Sequence, residues 1–211
     1  TRQLDCFVAS LLAMTGNKEK PVEKRRIGNS DLEIAPLVLG GNVFGWTADE
    51  ATSFRLLDAF VDAGGTMIDT ADVYSFWVDG HKGGESETVI GRWLARDPAK
   101  RDKVMIGTKV GFLEGLAPEV IARSCDASLK RLNTDCIDLC YQHTDDEKVP
   151  LAERPVSMDG LDKAGKVRAL GISQFKAERV TEAVQVAKDA GLTSPCALQT
   201  WYSLADRERL E

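Results

Sequence analysis

The sequence predicts an α/β fold: a parallel barrel of the (β/α)8, TIM-barrel type, entered through an N-terminal β-hairpin, with about six of the eight β/α units present. Three observations predict it. Short apolar runs alternate six times with helical patterns over short connections, which implies a parallel sheet covered by helices. Polar side chains stand just past the ends of several of those runs, where a barrel keeps its chemistry. No G-x-G-x-x-G follows the first strand, which counts against the rival doubly wound sheet.

The elements follow in order from Lys24. Arg26-Ile27, the turn Gly28-Asn29-Ser30-Asp31 and Leu32-Glu33-Ile34 read as a hairpin. Leu37-Val38-Leu39 is the first buried strand, leading to Gly40-Gly41-Asn42. Thr47-Ala48-Asp49-Glu50 has capping-box spacing, and Phe54, Leu57 and Val61 then share one helical face that Gly64-Gly65 terminates. Thr66-Met67-Ile68 is the second strand and delivers Asp69, with Tyr74 five residues further on. Glu87 to Arg96 reads as helix with Ile90, Trp93 and Leu94 inward, and Pro98 lies just beyond it. Val104 to Thr108 is the third strand, ending at Lys109. Pro118, well placed as a first helical residue, opens a helix to Leu132. Cys136 to Gln142 is the fourth strand, ending at His143. A helix from about Leu151 to Ala164 contains Pro155, tolerable only in a first turn, and Gly160. Val167 to Gly171 leads to Ser173-Gln174, and Val180, Ala183, Val184 and Ala187 give helical spacing ended by Gly191. Ala197-Leu198-Gln199 is the sixth strand.

Composition limits the function classes. The chain of 211 residues is 43% hydrophobic and 28% charged, that of an ordinary globular protein with room for one good core. A net charge of −6 with no basic run argues against a nucleic-acid partner. Phe7 to Met14 is too short to span a membrane and makes a poor secretory signal; residues 1–20 carry no assigned function. Residues 21–211 read as one barrel domain. Five cysteines without disulfide-scaffold spacing read as reduced thiols of a cytoplasmic protein, and two histidines without a CxxC leave no metal site.

Taken singly, Asp69 is a turn acid, Tyr74 a rim residue, Lys109 a solvated charge and His143 a strand-end residue. His81, in a Gly-rich loop, reads as solvated, and Tyr202 and Ser203 stay unassigned. Phe44, Trp46, Trp77 and Phe112 lie in loops leaving the strands and are candidates for an apolar substrate pocket, or for simple cover over the barrel mouth.

Several segments at consistent spacing resemble the aldo-keto reductase superfamily, in its bacterial NADP-dependent form. They are Ile68-Asp69-Thr70-Ala71-Asp72-Val73-Tyr74, Gly84-Glu85-Ser86-Glu87, Thr108-Lys109-Val110-Gly111, Ser128-Leu129-Lys130-Arg131-Leu132, Ile137-Asp138-Leu139 through His143, and Gly165 through Ser173. The resemblance implies an NADPH-dependent oxidoreductase that reduces an aldehyde or ketone by direct hydride transfer. It maps the catalytic tetrad onto Asp69, Tyr74, Lys109 and His143, with Tyr74 as general acid, Lys109 lowering its pKa, Asp69 holding Lys109 and His143 orienting the carbonyl. Ser173, Gln174 (Asn in many relatives) and Gln199 would hold the nicotinamide carboxamide, with Gly41, Asn42 and Asp69 as further cofactor contacts. The resemblance also implies strands seven and eight beyond Glu211, so the chain reads as a truncated barrel whose open edges invite self-association. Two alternatives follow: a catalytically silent fragment or half-barrel completed by a partner, and a nucleotide-sensing regulatory subunit, which would have no need of Tyr74.

Overall fold

The computed structural model describes residues 22–203 together with 205 and 207. The extension at residues 1–20 lies outside the described residues. The hairpin forms from β1 (Arg25–Arg26) and β2 (Glu33–Ile34), antiparallel, with Arg25 opposite Ile34 and Arg26 opposite Glu33. Its turn needs a glycine: Gly28 has φ +52°, and a Cβ there would sit 2.1 Å from the Cys196 carbonyl oxygen. That close approach lets Leu32, fully buried, pack with Met67, Leu139 and Ala169 of the sheet.

The sheet has six parallel strands in sequence order: β3 (Val38–Gly40), β4 (Met67–Asp69), β5 (Met105–Val110), β6 (Ile137–Gln142), β7 (Val167–Ser173) and β8 (Ala197–Gln199). It curls into a half-barrel with the helices on its outer face. Pairing sets Gly40 beside Asp69, Asp69 beside Gly107, Lys109 beside Tyr141 and Ser173 beside Gln199. The pleat sorts side chains by period two. Ile68, Ile106, Cys140 and Leu170 join the helix-facing core, while Met67, Leu139, Tyr141 and Ala169 form the inner cluster.

Among the described residues five helices cover the outside: α1 (Glu50–Asp62), α2 (Glu85–Ala95), α3 (Pro118–Leu132), α4 (Glu153–Lys163) and α5 (Ala177–Asp189). A 3₁₀ turn, Pro98–Lys103, follows α2. The cap of α1 is Asp49 rather than Thr47, because the Asp49 carboxylate accepts the Thr52 N–H at 2.8 Å. The fully buried face of α1 is Ser53, Leu57 and Phe60, with Phe54 and Val61 at its margins. Helix α2 begins two residues earlier than the pattern indicates, directly after Gly84 at φ +85°. In α4, Pro155 falls in the first turn, where no intrahelical N–H is lost. In α5 only Ala183 and Ala187 are buried, and Val184 is exposed because the helix turns a narrower stripe inward.

Candidate active site

The site is built at the C-terminal ends of the strands, and its centre is one buried ammonium. Lys109, near the end of β5, is 2% exposed and donates three hydrogen bonds, each of 2.7 Å: to Asp69 Oδ2, the Thr70 carbonyl and the Tyr74 hydroxyl. Asp69, 6% exposed at the end of β4, forms the ion pair with Lys109 and also accepts from the Tyr74 hydroxyl at 3.3 Å. A desolvated charge persists only if it is paired and hydrogen-bonded, and this cluster meets both conditions. The Lys109 nitrogen also lies 4.5 Å from the centroid of the Tyr74 ring.

Backbone bonds fix the loop that carries Tyr74. Thr70 N–H donates to the Gly107 carbonyl, Asp72 N–H to that of Lys109, and Tyr74 N–H to that of Ala71. Ser75, fully buried at φ +76°, turns the chain through the left-handed region. Strain of this kind at a non-glycine residue gathers at functional sites. His143 follows β6, its N–H bound to the Val110 carbonyl, and its ring centroid is 6.1 Å from that of Tyr74.

The electrostatics correct one expectation. Burial, reinforced by the neighbouring Asp69 carboxylate, holds the Tyr74 phenol well above its ordinary range. Lys109 therefore does not turn the resting phenol into a phenolate, because the Asp69 charge answers its own. Burial also pushes the Lys109 ammonium down from its usual range, with Asp69 pulling it back up. His143 is lowered to about 4, by burial first and by the Lys109 charge second, so its ring is neutral near pH 7. Asp72 is raised to about 7, by burial first and by Glu87 second.

On the far side of the curl, Ser173 is 2% exposed at the end of β7, and Gln174 follows at φ +58° with its N–H on the Gln199 carbonyl at 3.0 Å. Gln199 Oε1 is buried without a hydrogen-bond partner. An orphaned buried acceptor beside a buried hydroxyl fits a carboxamide, which supplies two donors and one acceptor. Gly41 has a tighter duty: a Cβ there would lie 2.9 Å from the Asp69 carbonyl oxygen, and its N–H donates to that oxygen at 2.7 Å. Asn42 beside it is exposed.

The aromatic candidates separate. Trp46, Trp77 and Phe112 are each a little under half exposed and lie in ring contacts that reach Tyr74 and His143. Phe44 is 1% exposed and belongs to the helix-side core with Ala48, Leu57 and Val89, so the structure does not bring it to the mouth. His81 is half-buried with its Nδ1 shielded and unpartnered, rather than solvated.

The sequence reading missed a buried support behind the site. Glu87 is 0% exposed and accepts from Thr108 Oγ1 at 2.5 Å and from Arg131 Nε at 2.6 Å. Thr70 and Ser86 hydroxyls meet at 2.8 Å, and Ser86 donates to the Gly41 carbonyl at 2.7 Å. Glu87 and Arg131 both fall in the motif segments quoted above, and a charged residue on the apolar face of α2 was the available signal. Among the described residues no group of His, Cys, Asp and Glu is placed to hold a metal, and no helix is long and apolar enough to cross a membrane.

Comparison with known proteins agrees with the geometry. The sequence model of the aldo/keto reductase family matches residues 36–211. An uncharacterized oxidoreductase of Bacillus subtilis, YrpG, is 32% identical over 197 residues, covering 88% of this chain and 60% of that protein. The aldo-keto reductase YhdN of Bacillus subtilis is 34% identical over 197 residues, covering 90% of this chain and 54% of its own. An uncharacterized 11.2 kDa protein of Pseudescherichia vulneris is 59% identical over 87 residues, 41% of this chain and 84% of that protein. The chain thus spans between half and three fifths of the longer curated relatives it matches.

Proposed function

The chain belongs to the aldo/keto reductase family, and on that premise we propose that it reduces small-molecule aldehydes or ketones to alcohols with NADPH, Tyr74 serving as general acid. The observation that carries this reading is the Asp69–Lys109–Tyr74 cluster, with the ammonium 2.7 Å from both the carboxylate and the phenol. A nicotinamide cofactor, when bound, supplies the hydride. Everything else falls to the chain. A carbonyl that accepts hydride develops alkoxide charge and needs a proton delivered at its oxygen. Tyr74 holds that proton firmly at rest, and Lys109 stabilises the phenolate as it forms. Asp69 keeps Lys109 aimed. Neutral His143, beside Tyr74, hydrogen-bonds and orients the carbonyl oxygen. Ser173, Gln174 and Gln199 hold the carboxamide of the cofactor, with Gly41 and Asn42 at the margin, and Trp46, Trp77 and Phe112 form the substrate mouth. Residues 21–211 act as one barrel domain in a reducing, cytoplasmic setting, consistent with the four free thiols Cys125, Cys136, Cys140 and Cys196 among the described residues.

Binding of NADPH is tested by titrating the full chain while following tryptophan fluorescence. Saturable quenching at micromolar concentration is expected, weakened about tenfold by Gln199→Leu through loss of the amide's partner. A folded, monodisperse sample that shows no quenching would contradict the reading.

One observation favours a second reading. Among the described residues β3 and β8 are each paired on one side only, and Val38 and Leu198 are exposed on these edges. In this reading further strands complete the barrel, from more chain or from a second copy, and cofactor binding appears only with them. Binding by the full chain alone removes that reading; binding without turnover would favour a nucleotide sensor.

A further inference from the structure

We infer that Arg154, buried in the first turn of α4 and outside the motif segments quoted above, is a positioning residue for the turn Ser173-Gln174, and that through Asp145 it ties this turn to the loop carrying His143. The inference rests on the carbonyl-reductase reading and deepens it, by naming what keeps the cofactor side of the site in register with the substrate side.

A fully buried arginine is rare, because the guanidinium keeps its charge and has to be paired. Arg154 is 0% exposed. Its Nη1 donates to Asp145 Oδ1 at 2.7 Å, while Nε and Nη2 are buried without a hydrogen-bond partner. Asp145 is the one carboxylate that pairs with this charge among the described residues. It stands two residues beyond His143, in the loop after β6. From the other side α5 holds it too: Arg179 Nε donates to Oδ2 at 2.8 Å, and Arg179 Nη2 to Oδ1 at 3.3 Å. The loop that carries His143 is therefore fastened to the first turns of two helices.

The same guanidinium reaches the cofactor side. Arg154 Cζ lies 5.7 Å from the centroid of the Phe175 ring. Phe175 directly follows Gln174 and is buried with Leu151, Ile172 and Ala183. Gln174 itself has φ +58°, a left-handed conformation that a non-glycine residue keeps only where its surroundings fix it. Its N–H on the Gln199 carbonyl braces one side of the turn, and Phe175 against Arg154 braces the other. Gln199 in turn carries the buried, partnerless Oε1 that suits an amide donor. One side chain thus connects the loop of His143 with the acceptor proposed for the carboxamide.

Packing explains why a single contact matters here. The apolar cluster around Phe175 is small and separate from the main core, so little else resists a shift of the turn. The ionic part is backed up in one direction only. With Arg154 removed, Asp145 keeps Arg179 as its counter-charge; with Asp145 removed, Arg154 stays buried and unpaired. Arg154 is therefore the member whose loss isolates the effect on the turn.

The test uses the full chain with NADP+ and its 3-acetylpyridine analogue, in which a methyl group replaces the carboxamide nitrogen, each titrated against tryptophan fluorescence. The wild-type chain should bind the analogue about tenfold more weakly, since Gln199 Oε1 then stays unsatisfied. Arg154→Met, an apolar replacement of similar length, should reduce that ratio to about twofold, because a displaced turn no longer aims Gln199 at the amide. A general loss of stability would weaken both ligands alike and leave the ratio intact. Arg92→Met, which removes an ion pair with Glu50 on the outer layer, should keep the wild-type ratio. A second readout needs no cofactor. In hydrogen-exchange NMR the Gln174 amide should exchange at least about tenfold faster in Arg154→Met, while the amides of β6 keep their protection. If Arg154→Met does not fold, Phe175→Leu, which removes the ring face and keeps an apolar side chain, carries both expectations. An unchanged ratio, or an unchanged Gln174 exchange rate, overturns the inference. A wild-type chain that binds neither nucleotide would sink the reductase reading, and the Gln174 exchange rate would still decide whether Arg154 fixes the turn.

Discussion

Tyr74 shows how a residue can be found from sequence while its state is not. Its position follows from a motif, but its proton affinity depends on a carboxylate 3.3 Å away and on burial that only the fold creates. The same holds for the two groups beside it. His143, lowered to about 4, contributes no charge near neutrality; an NMR titration of its ring should show a midpoint near 4 instead of the ordinary 6.5. The sign for stability follows: the unfolded chain binds this proton first, so stability falls as pH drops from about 6.5 through 4. Asp72 works the other way. Its carboxyl, raised to about 7 by burial and then by Glu87, binds its proton more tightly in the fold than in the unfolded chain. Its contribution is therefore lost as pH rises from about 4 to 7. Asp72→Asn should stabilise the protein at pH 8 by about 2 kcal/mol, allowing for partial screening, and by almost nothing near pH 4. Denaturant unfolding at the two pH values measures both, and an equal effect at each would contradict the assignment.

At the scale of elements, most of the chain was legible because apolar spacing and capping residues act locally. Helix α3 runs from Pro118 to Leu132 as the pattern indicates, β6 ends at Gln142 just before His143, and β7 ends at Ser173. What was not legible depends on neighbours far along the chain. The Glu87–Arg131 pair joins α2 to α3, and its members lie 44 residues apart. Phe60 rather than Phe54 fills the core under α1, because the direction of the helix is set by the sheet it packs on. Two helix-interior glycines make the point testable. A Cβ at Gly91 of α2 would lie 2.0 Å from the Arg131 carbonyl oxygen of α3, whereas one at Gly160 of α4 meets nothing within 4 Å. Gly91→Ala should destabilise by about 1–3 kcal/mol through overpacking. Gly160→Ala should stabilise by about 0.5–1 kcal/mol through helix propensity and a stiffer unfolded chain. Thermal melts of the two variants should move in opposite directions, and a shared direction would contradict the packing described.

For the whole molecule, six strand–helix alternations were enough to indicate a parallel, curled sheet, and the sheet has that order without exception. The topology concentrates the chemistry at one end, so Asp69, Lys109, His143 and Ser173, up to 104 positions apart in sequence, come to the same rim. The ring contacts that tie Trp77 and Phe112 to Tyr74 and His143 were not legible, since loop aromatics carry no periodicity. On the proposed reading this rim transfers a proton from Tyr74 to a carbonyl oxygen during nicotinamide-dependent reduction. It is tested most directly by NADPH consumption with an aldehyde, comparing the full chain with its Tyr74→Phe variant at equal cofactor saturation. Measurable turnover by the wild-type chain is expected, with a loss of about 10²–10⁴-fold in the variant, whose ring keeps its packing but has no proton to give. Equal rates from the two proteins would contradict it.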